Sequence, residues 1–288
     1  MKILVTYRGN QGPGAGWETG AALVRALRRM GHQAHPYGTV YQTGQRIAPE
    51  APWKPELIIF MECGDGDQQY IEFATRGCPM AMWLFDTGRD EKYQEHHRLL
   101  VDHLKPERLF MANPDMIPAF PCSKYLPYAA DETRFKPTTG PKKGAAIIGN
   151  PFAERVAFAA KVGVEVIQTE TGQEYADAVA GLQVHVHHTN SGGDGLLVMR
   201  YWETLCCGTV LLCPWDGATD VHFDVDSLTR PRRPGHLVGY HGSEDAALKL
   251  NGLVNNPGWA QGIAANGREH VLARHTYRHR AQEILDSM

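Results

Sequence analysis

Apolar positions along this chain follow two alternating rhythms. Runs such as Glu56–Met61 and Met80–Phe85 are almost continuously apolar, the pattern of strands buried on both faces of a parallel sheet. Between such runs, apolar residues recur with the spacing of helices that bury one side. The first half then reads as a strand at Lys2–Tyr7, a glycine loop at Gly9–Gly16 and a helix at Trp17–Met30 with Gly31 at its end. Gln68–Arg76 and Glu91–Lys105 read as helices, and Leu109–Ala112 and Tyr125–Leu126 as short strands. Pro127, Pro137 and Pro141 punctuate a polar stretch ending at Lys142-Lys143-Gly144, the expected linker. The rhythm then restarts, with strands at Ala145–Ile148, Val164–Gln168, Val184–His187 and Val210–Cys213. Helices at Phe152–Val162, Tyr175–Ala180 and Leu196–Cys207 separate them, and Ser243–Asn255, Gly258–Ala273 and Tyr277–Met288 close the chain as helices. The expectation is an α/β protein with two Rossmann-like, doubly wound parallel-sheet domains facing a cleft. The expected division is 1–130, 131–275 and a closing helix over 276–288 that is open to packing back on the first domain. Ligands of such sheets sit outside the carboxyl ends of the strands.

Composition narrows the class. The 288 residues are 43% hydrophobic and 21% charged, with 30 Gly and 18 Pro, which excludes collagen, coiled coil or disorder as the main state. No apolar run approaches the ~20 residues of a membrane span. Met1–Tyr7 reads as a strand rather than a signal peptide, so the expected location is cytoplasmic. Cys63, Cys78, Cys122, Cys206, Cys207 and Cys213 show no C-x-x-C spacing and are expected to be reduced, several as small core residues. The net charge is −3, from 29 Lys+Arg against 32 Asp+Glu, and the balance is even along the chain. That speaks against bulk polyanion binding and leaves only local basic patches open: the loop Arg230-Pro231-Arg232-Arg233 and the helical set Arg25, Arg28, Arg29.

Three segments place glycines between a strand and a helix, where backbone N–H groups and the helix N-terminus favour an anion. The first is Arg8-Gly9-Asn10-Gln11-Gly12-Pro13-Gly14-Ala15-Gly16. It matches neither a Walker A motif nor the dinucleotide fingerprint, and a flexible turn is the plain alternative to a ligand loop. The second, Ile148-Gly149-Asn150 through Arg155, offers a guanidinium near a helix start that could hold a diphosphate; the alternative is an exposed arginine paired with a carboxylate. The third runs Gly192-Gly193-Asp194-Gly195 into Arg200-Tyr201-Trp202-Glu203, and a carboxylate one turn in suits a pair of ribose hydroxyls. Its alternative is a surface Arg200–Glu203 pair worth only ~0.2–0.5 kcal/mol, which the apolar surroundings argue against. Asp86, after the Met80–Phe85 strand, is either a general base or a helix cap. In His185-Val186-His187-His188, alternation puts His185 and His187 on one face, but no carboxylate or cysteine stands at a recognised offset for a metal. His188 is expected to line a sugar site with Thr189, Asn190 and Ser191.

The stretch Arg200-Tyr201-Trp202-Glu203-Thr204-Leu205-Cys206-Cys207-Gly208-Thr209-Val210-Leu211-Leu212 resembles the C-terminal signature of GT-B glycosyltransferases, in particular the CgeB-like group-1 family. Leu126–Asp131 with Phe135-Lys136-Pro137 is similar to that family's interdomain segment, Ile148–Arg155 to the opening of its nucleotide domain, and Trp83–Asp86 to a strand end of its first domain. His275-Thr276-Tyr277-Arg278-His279-Arg280-Ala281 is similar to its C-terminal motif. The resemblance spans most of the chain, more firmly after residue 125.

The resemblance implies transfer of a hexose from a nucleotide diphosphate sugar, UDP favoured, to a hydroxyl. Residues 1–130 would serve the acceptor and 131–275 the donor. Glu203 would hold the ribose; Gly149, Asn150 and Arg155 the diphosphate; His188, Gly193 and Gly195 would complete the donor site. Gly9, Asn10, Gly12, Gly14 and Gly16 would face phosphate or acceptor, and Asp86, Asp194 and Arg200 would be catalytic. No cofactor and no metal are expected, because helix N-termini and basic side chains supply the charge. Many retaining relatives carry a glutamate eight positions before the ribose-binding one; here that position is Gly195, with Asp194 beside it, and the stereochemical outcome stays open. The acceptor also stays open: a glycan, a lipid-linked saccharide, a protein hydroxyl or a hydroxymethylated pyrimidine in phage-type DNA. A non-catalytic nucleotide-sugar binding protein on the same fold is the alternative of another class.

Overall fold

A computed structural model describes residues 1–7, 19–38, 53–61, 77–85, 91–169, 172–188, 197–226 and 234–288. The chain forms two compact units. One gathers the described residues up to Pro127 together with Tyr277–Met288, and the other comprises the described residues of Tyr128–Thr276.

In the first unit, β1 (Lys2–Thr6), β2 (Gln33–Tyr37), β3 (Leu57–Met61), β4 (Met80–Leu84), β5 (Arg108–Met111) and β6 (Ser123–Tyr125) make an all-parallel sheet of order β2-β1-β3-β4-β5-β6. Every residue of β3 and β4 is buried, as expected of central parallel strands covered on both faces. α1 (Thr19–Arg29) connects β1 to β2, and α2 (Glu91–Leu104) connects β4 to β5. β2 escapes the hydrophobic pattern because it is an edge strand: its polar residues and Pro36 are tolerated where one side of the ladder is unpaired. The last helix of the chain, Tyr277–Ser287, packs against α1. Its Arg280 is buried, and Nε donates to the Pro127 carbonyl at 2.7 Å.

In the second unit, β7 (Ala145–Ile148), β8 (Glu165–Ile167), β9 (Val184–Val186), β10 (Val210–Pro214), β11 (Val225–Asp226) and β12 (Leu237–Tyr240) form a second all-parallel sheet, of order β11-β12-β10-β9-β7-β8. Its described helices are α3 (Ala153–Val162), α4 (Gly172–Gly181), α5 (Arg200–Cys206), α6 (Gly217–His222), α7 (Gly242–Asn255) and α8 (Pro257–Arg274); the closing helix Tyr277–Ser287 is then α9. Strand alternation divides the sheet's two sides. Ile147, Val184, Val186, Leu212 and Val238 form a core with Phe158 of α3 and Leu250 and Leu253 of α7. His185 and His187 point the other way, toward Thr204 and Tyr201 of α5. The expected linker is partly interior: Tyr128, Ala129, Ala130, Asp131 and Phe135 are all buried.

Both sheets are doubly wound, and these two Rossmann-like units are the fold expected from the hydrophobic rhythm. Strand order reverses between β1 and β3 in the first unit and between β7 and β9 in the second. Among the described residues, no helix is long and apolar enough to cross a membrane.

Candidate functional site

In a doubly wound sheet, the point of reversal opens a gap at the carboxyl ends of two adjacent strands. In the second unit, that gap lies beyond β7 and β9. β7 ends on Gly149, whose φ of +147° suits only glycine, and a Cβ there would stand 2.9 Å from Arg155 Nη1 and 3.4 Å from Arg200 Nη2. The backbone at Gly149 is therefore roofed by two guanidinium groups. Arg155 is buried in the first turn of α3, and its Nη1 donates to the Asn150 carbonyl. Arg200 opens α5 and is half-buried.

Neither arginine has a carboxylate partner within ion-pair distance among the described residues, and the Nε of each is buried without a hydrogen bond. Burial, then the neighbouring Arg200, lowers the pKa of Arg155 from the ordinary guanidinium value. Two adjacent like charges with orphaned donors have the chemistry that suits a dianionic ligand.

The surrounding histidines stay neutral. Burial, followed by Arg200 and Arg155, pushes His185 down to about 3 and holds His187 well below the usual imidazole value. His185 is fixed by Thr204 Oγ1 at 2.7 Å from Nδ1. His188 stacks on Phe158, with centroids 4.0 Å apart and planes at 6°. Among the described residues, no group of three or more His, Cys, Asp or Glu is placed to hold a metal.

Glu203 lies one turn beyond Arg200 on α5 and is 4% exposed. Burial raises its carboxyl to about 7, against the opposing pull of Arg200, the Tyr175 hydroxyl and Arg134; Asp131 adds to the rise. A carboxyl held this dry is poised to accept from paired hydroxyls.

The structure thus brings together Gly149, Asn150, Arg155, Arg200 and Glu203, with His188 at the adjoining end of β9. Gly9, Asn10, Gly12, Gly14, Gly16, Asp86, Gly193, Asp194 and Gly195, and the Arg230–Arg233 loop, lie outside the described residues. Sequence reasoning missed Tyr175 and Arg134. Tyr175 reads only as the start of a helix, yet it is fully buried, and burial with the nearby charge of Glu203 holds its hydroxyl well above the ordinary tyrosine value; no sequence signal marks it.

Residues 136–286 match a family model described as glycosyl transferase-like. No curated protein matches the chain at the sequence level. Among solved structures, the chain is similar to Alr3699/HepE of Anabaena in complex with UDP and glucose, with TM-score 0.64, 11% identity, and coverage of 99% of this chain and 100% of that one. It is also similar to an alpha-glucosyltransferase in complex with UDP and a 13-mer DNA containing a central A:G mismatch, with TM-score 0.67, 9% identity, and coverage of 98% and 99%. The alpha-glucosyltransferase complex with a 13-mer DNA containing an HMU base gives TM-score 0.62 at 8% identity, over 99% of this chain and 98% of that one. At these identities the likeness concerns the fold.

Proposed function

Because the chain belongs to the glycosyl transferase-like family, we propose that it transfers a hexose from a UDP-sugar to an acceptor hydroxyl, as a GT-B enzyme of the CgeB-like type. The observation that carries this reading is the pair of guanidiniums over Gly149, Arg155 buried and Arg200 half-buried, without carboxylate partners among the described residues, beside the dry carboxyl of Glu203. Diphosphate and ribose are the two features of a nucleotide sugar that need these two groups. The solved structures bound to UDP support the choice of nucleotide.

In this reading, Arg155 and the backbone at Gly149 and Asn150 hold the diphosphate. Arg200 neutralises the charge that grows on it as the glycosidic C–O bond breaks. The UDP leaving group departs with that bond's electron pair, and the acceptor oxygen takes its place on the anomeric carbon. Fixed cations in a dry site supply the stabilisation, so the reading needs no metal and no cofactor. Glu203 accepts from the ribose hydroxyls, and His188, Gly193 and Gly195 line the sugar. Asp86 is the proposed base toward the acceptor, Asp194 the proposed stand-in for the glutamate absent at 195, and the Gly9–Gly16 loop the proposed contact for phosphate or acceptor. The described cysteines, Cys78, Cys122, Cys206, Cys207 and Cys213, are free, which suits the reducing cytoplasm.

Calorimetry with UDP, UMP and uridine tests the donor site. UDP should bind about tenfold or more tighter than UMP, because only the diphosphate engages both arginines. Equal affinities would remove the diphosphate assignment. Release of UDP from UDP-glucose, with and without acceptors, separates an enzyme from a binding protein on the same fold. The likeness to a DNA-bound alpha-glucosyltransferase favours a modified base as second acceptor reading. Duplex binding that weakens steeply with salt would support it.

A further inference from the structure

The proposed donor site lies at the carboxyl ends of β7 and β9. At the amino ends of β7, β9 and β10, the second unit carries a separate cavity of about 540 Å³. Lys142 lines it just before β7, Gln183 just before β9 and Gly208 just before β10; α8 contributes Ala260, Ala264 and Arg268. Arg155, Arg200 and Glu203 do not line it. We propose that this cavity binds a phosphate monoester of a small organic molecule, with Lys142 and Arg268 holding the phosphate.

The two cations carry the argument, and both stand at the turn that ends α5. Lys142 Nζ donates to the Cys207 carbonyl at 2.9 Å and to Thr209 Oγ1 at 2.6 Å. An ammonium offers more donors than these two acceptors use. The Arg268 side chain passes Gly208, where a Cβ would stand 3.5 Å from Arg268 Cδ. Arg268 is half-buried, its Nε is buried without a hydrogen bond, and it forms no ion pair among the described residues. An orphaned guanidinium donor beside an ammonium suits an oxyanion. Burial lowers the Lys142 ammonium to about 8; the Cys207 thiol acts the other way, and no carboxylate is among the groups acting on it. A bound anion is the counter-charge that both side chains lack.

Among the described residues, no Asp or Glu lines the cavity. Asp131 and Glu132 act, with Arg268, on the Cys206 thiol from outside it. Two cations without an internal acid match a phosphate monoester, which is close to a dianion near neutral pH, better than a singly charged carboxylate. The rest of the space calls for an organic body on that phosphate. Val210, Ala260 and Ala264 are buried and give an apolar floor, and exposed Gln261 offers an amide to hydroxyls. The volume lies within the ~300–1,000 Å³ of small-ligand sites, more than a bare phosphate fills.

Calorimetry on the full chain in phosphate-free buffer tests this, with UDP at saturation to fill the arginines over Gly149. The probes are glycerol 3-phosphate, glucose 6-phosphate and ribose 5-phosphate, with inorganic phosphate and acetate beside them. At least one ester should bind about tenfold or more tighter than acetate. Arg268→Gln and Lys142→Gln should each weaken that ester about tenfold or more, with UDP affinity unchanged within about twofold. Arg268→Gln leaves the hydrogen bonds of Lys142 in place and so guards against misfolding of the lysine variant. No binding by any ester, or unchanged binding in either variant, would overturn the site. Ester binding lost in Arg155→Ala would overturn it too, by placing the phosphate over Gly149. Inorganic phosphate binding as tightly as every ester would reduce the ligand to the bare ion and overturn the assignment of an ester. Ester binding through Arg268 in a chain that fails to bind UDP would break the donor reading and leave this site standing.

Discussion

The two sheets reverse their winding in the same way and differ in what stands at the reversal. In the first unit, the described residues at the carboxyl ends of β1 and β3 are Tyr7 and Met61, both buried and mostly apolar in body. In the second, the equivalent ends carry Gly149, His187 and His188, backed by buried Arg155 and Glu203 and half-buried Arg200. Topology supplies each unit with a place for a ligand. Side-chain chemistry separates them: among the described residues, only the second carries guanidiniums with unpaired Nε at its reversal.

Four variants test that asymmetry. The largest effect is expected from Arg155→Ala, which removes a charge-assisted clamp worth about 1.5–3 kcal/mol. UDP affinity should fall on the order of 100-fold by calorimetry, while Arg155→Lys recovers part of it. A change of less than about threefold would move the anion site elsewhere and break the comparison.

Glu203→Gln comes next and shows itself in stability. The folded carboxyl titrates near 7, against an ordinary 4.5. The native state therefore holds its proton more tightly than the unfolded chain does. Wild type loses stability as pH climbs from 4.5 through 7, and the glutamine variant does not. Above pH 7 the variant should be more stable by about 2–3 kcal/mol, an advantage that vanishes below pH 4.5. Chemical denaturation at pH 4, 6 and 8 reads this directly, and parallel curves for the two proteins would refute the dry carboxyl. UDP should bind Glu203→Gln about tenfold more weakly, since a neutral amide is a poorer acceptor for ribose hydroxyls.

A smaller effect is expected from Gly149→Ala. The added methyl meets Arg155 Nη1 at 2.9 Å on a backbone with φ +147°. A loss of about 1–3 kcal/mol in denaturant should accompany weaker UDP binding, because the methyl displaces the guanidinium. Tyr175→Phe is the mildest: loss of the buried hydroxyl that opposes the rise of the Glu203 carboxyl should shift the pH profile of stability upward, with stability at pH 4 changed by less than about 1.5 kcal/mol. An unshifted profile would place Tyr175 outside the Glu203 network.

The sequence made parts of this visible for physical reasons. Central strands such as Leu57–Met61 and Met80–Leu84 declare themselves because a doubly covered strand has no polar face. Gln33–Tyr37 did not, because an edge strand escapes that demand. The helix Gly217–His222 was likewise hidden: it is short, and it owes its start to the Asp216 side chain accepting from Thr219 N at 3.0 Å. Arg200 and Glu203 share a helix stripe, so local spacing reveals them together. Arg155 joins them only through the crossing of β7 and β9, and Tyr175 and Arg134 meet Glu203 from separate elements. Contacts made by topology leave no periodic trace in a chain read residue by residue.

The return of α9 to the first unit has a consequence for synthesis. A ribosome releases the chain from its amino end, and each unit can complete its core only when its last element has emerged. The second unit has its whole core by Thr276, whereas the first still waits for the helix that packs on α1 and carries Arg280. The half made first is therefore finished last. Until the final helix arrives, the part of α1 that faces it rather than β1 and β2 stands open to water and to chaperones.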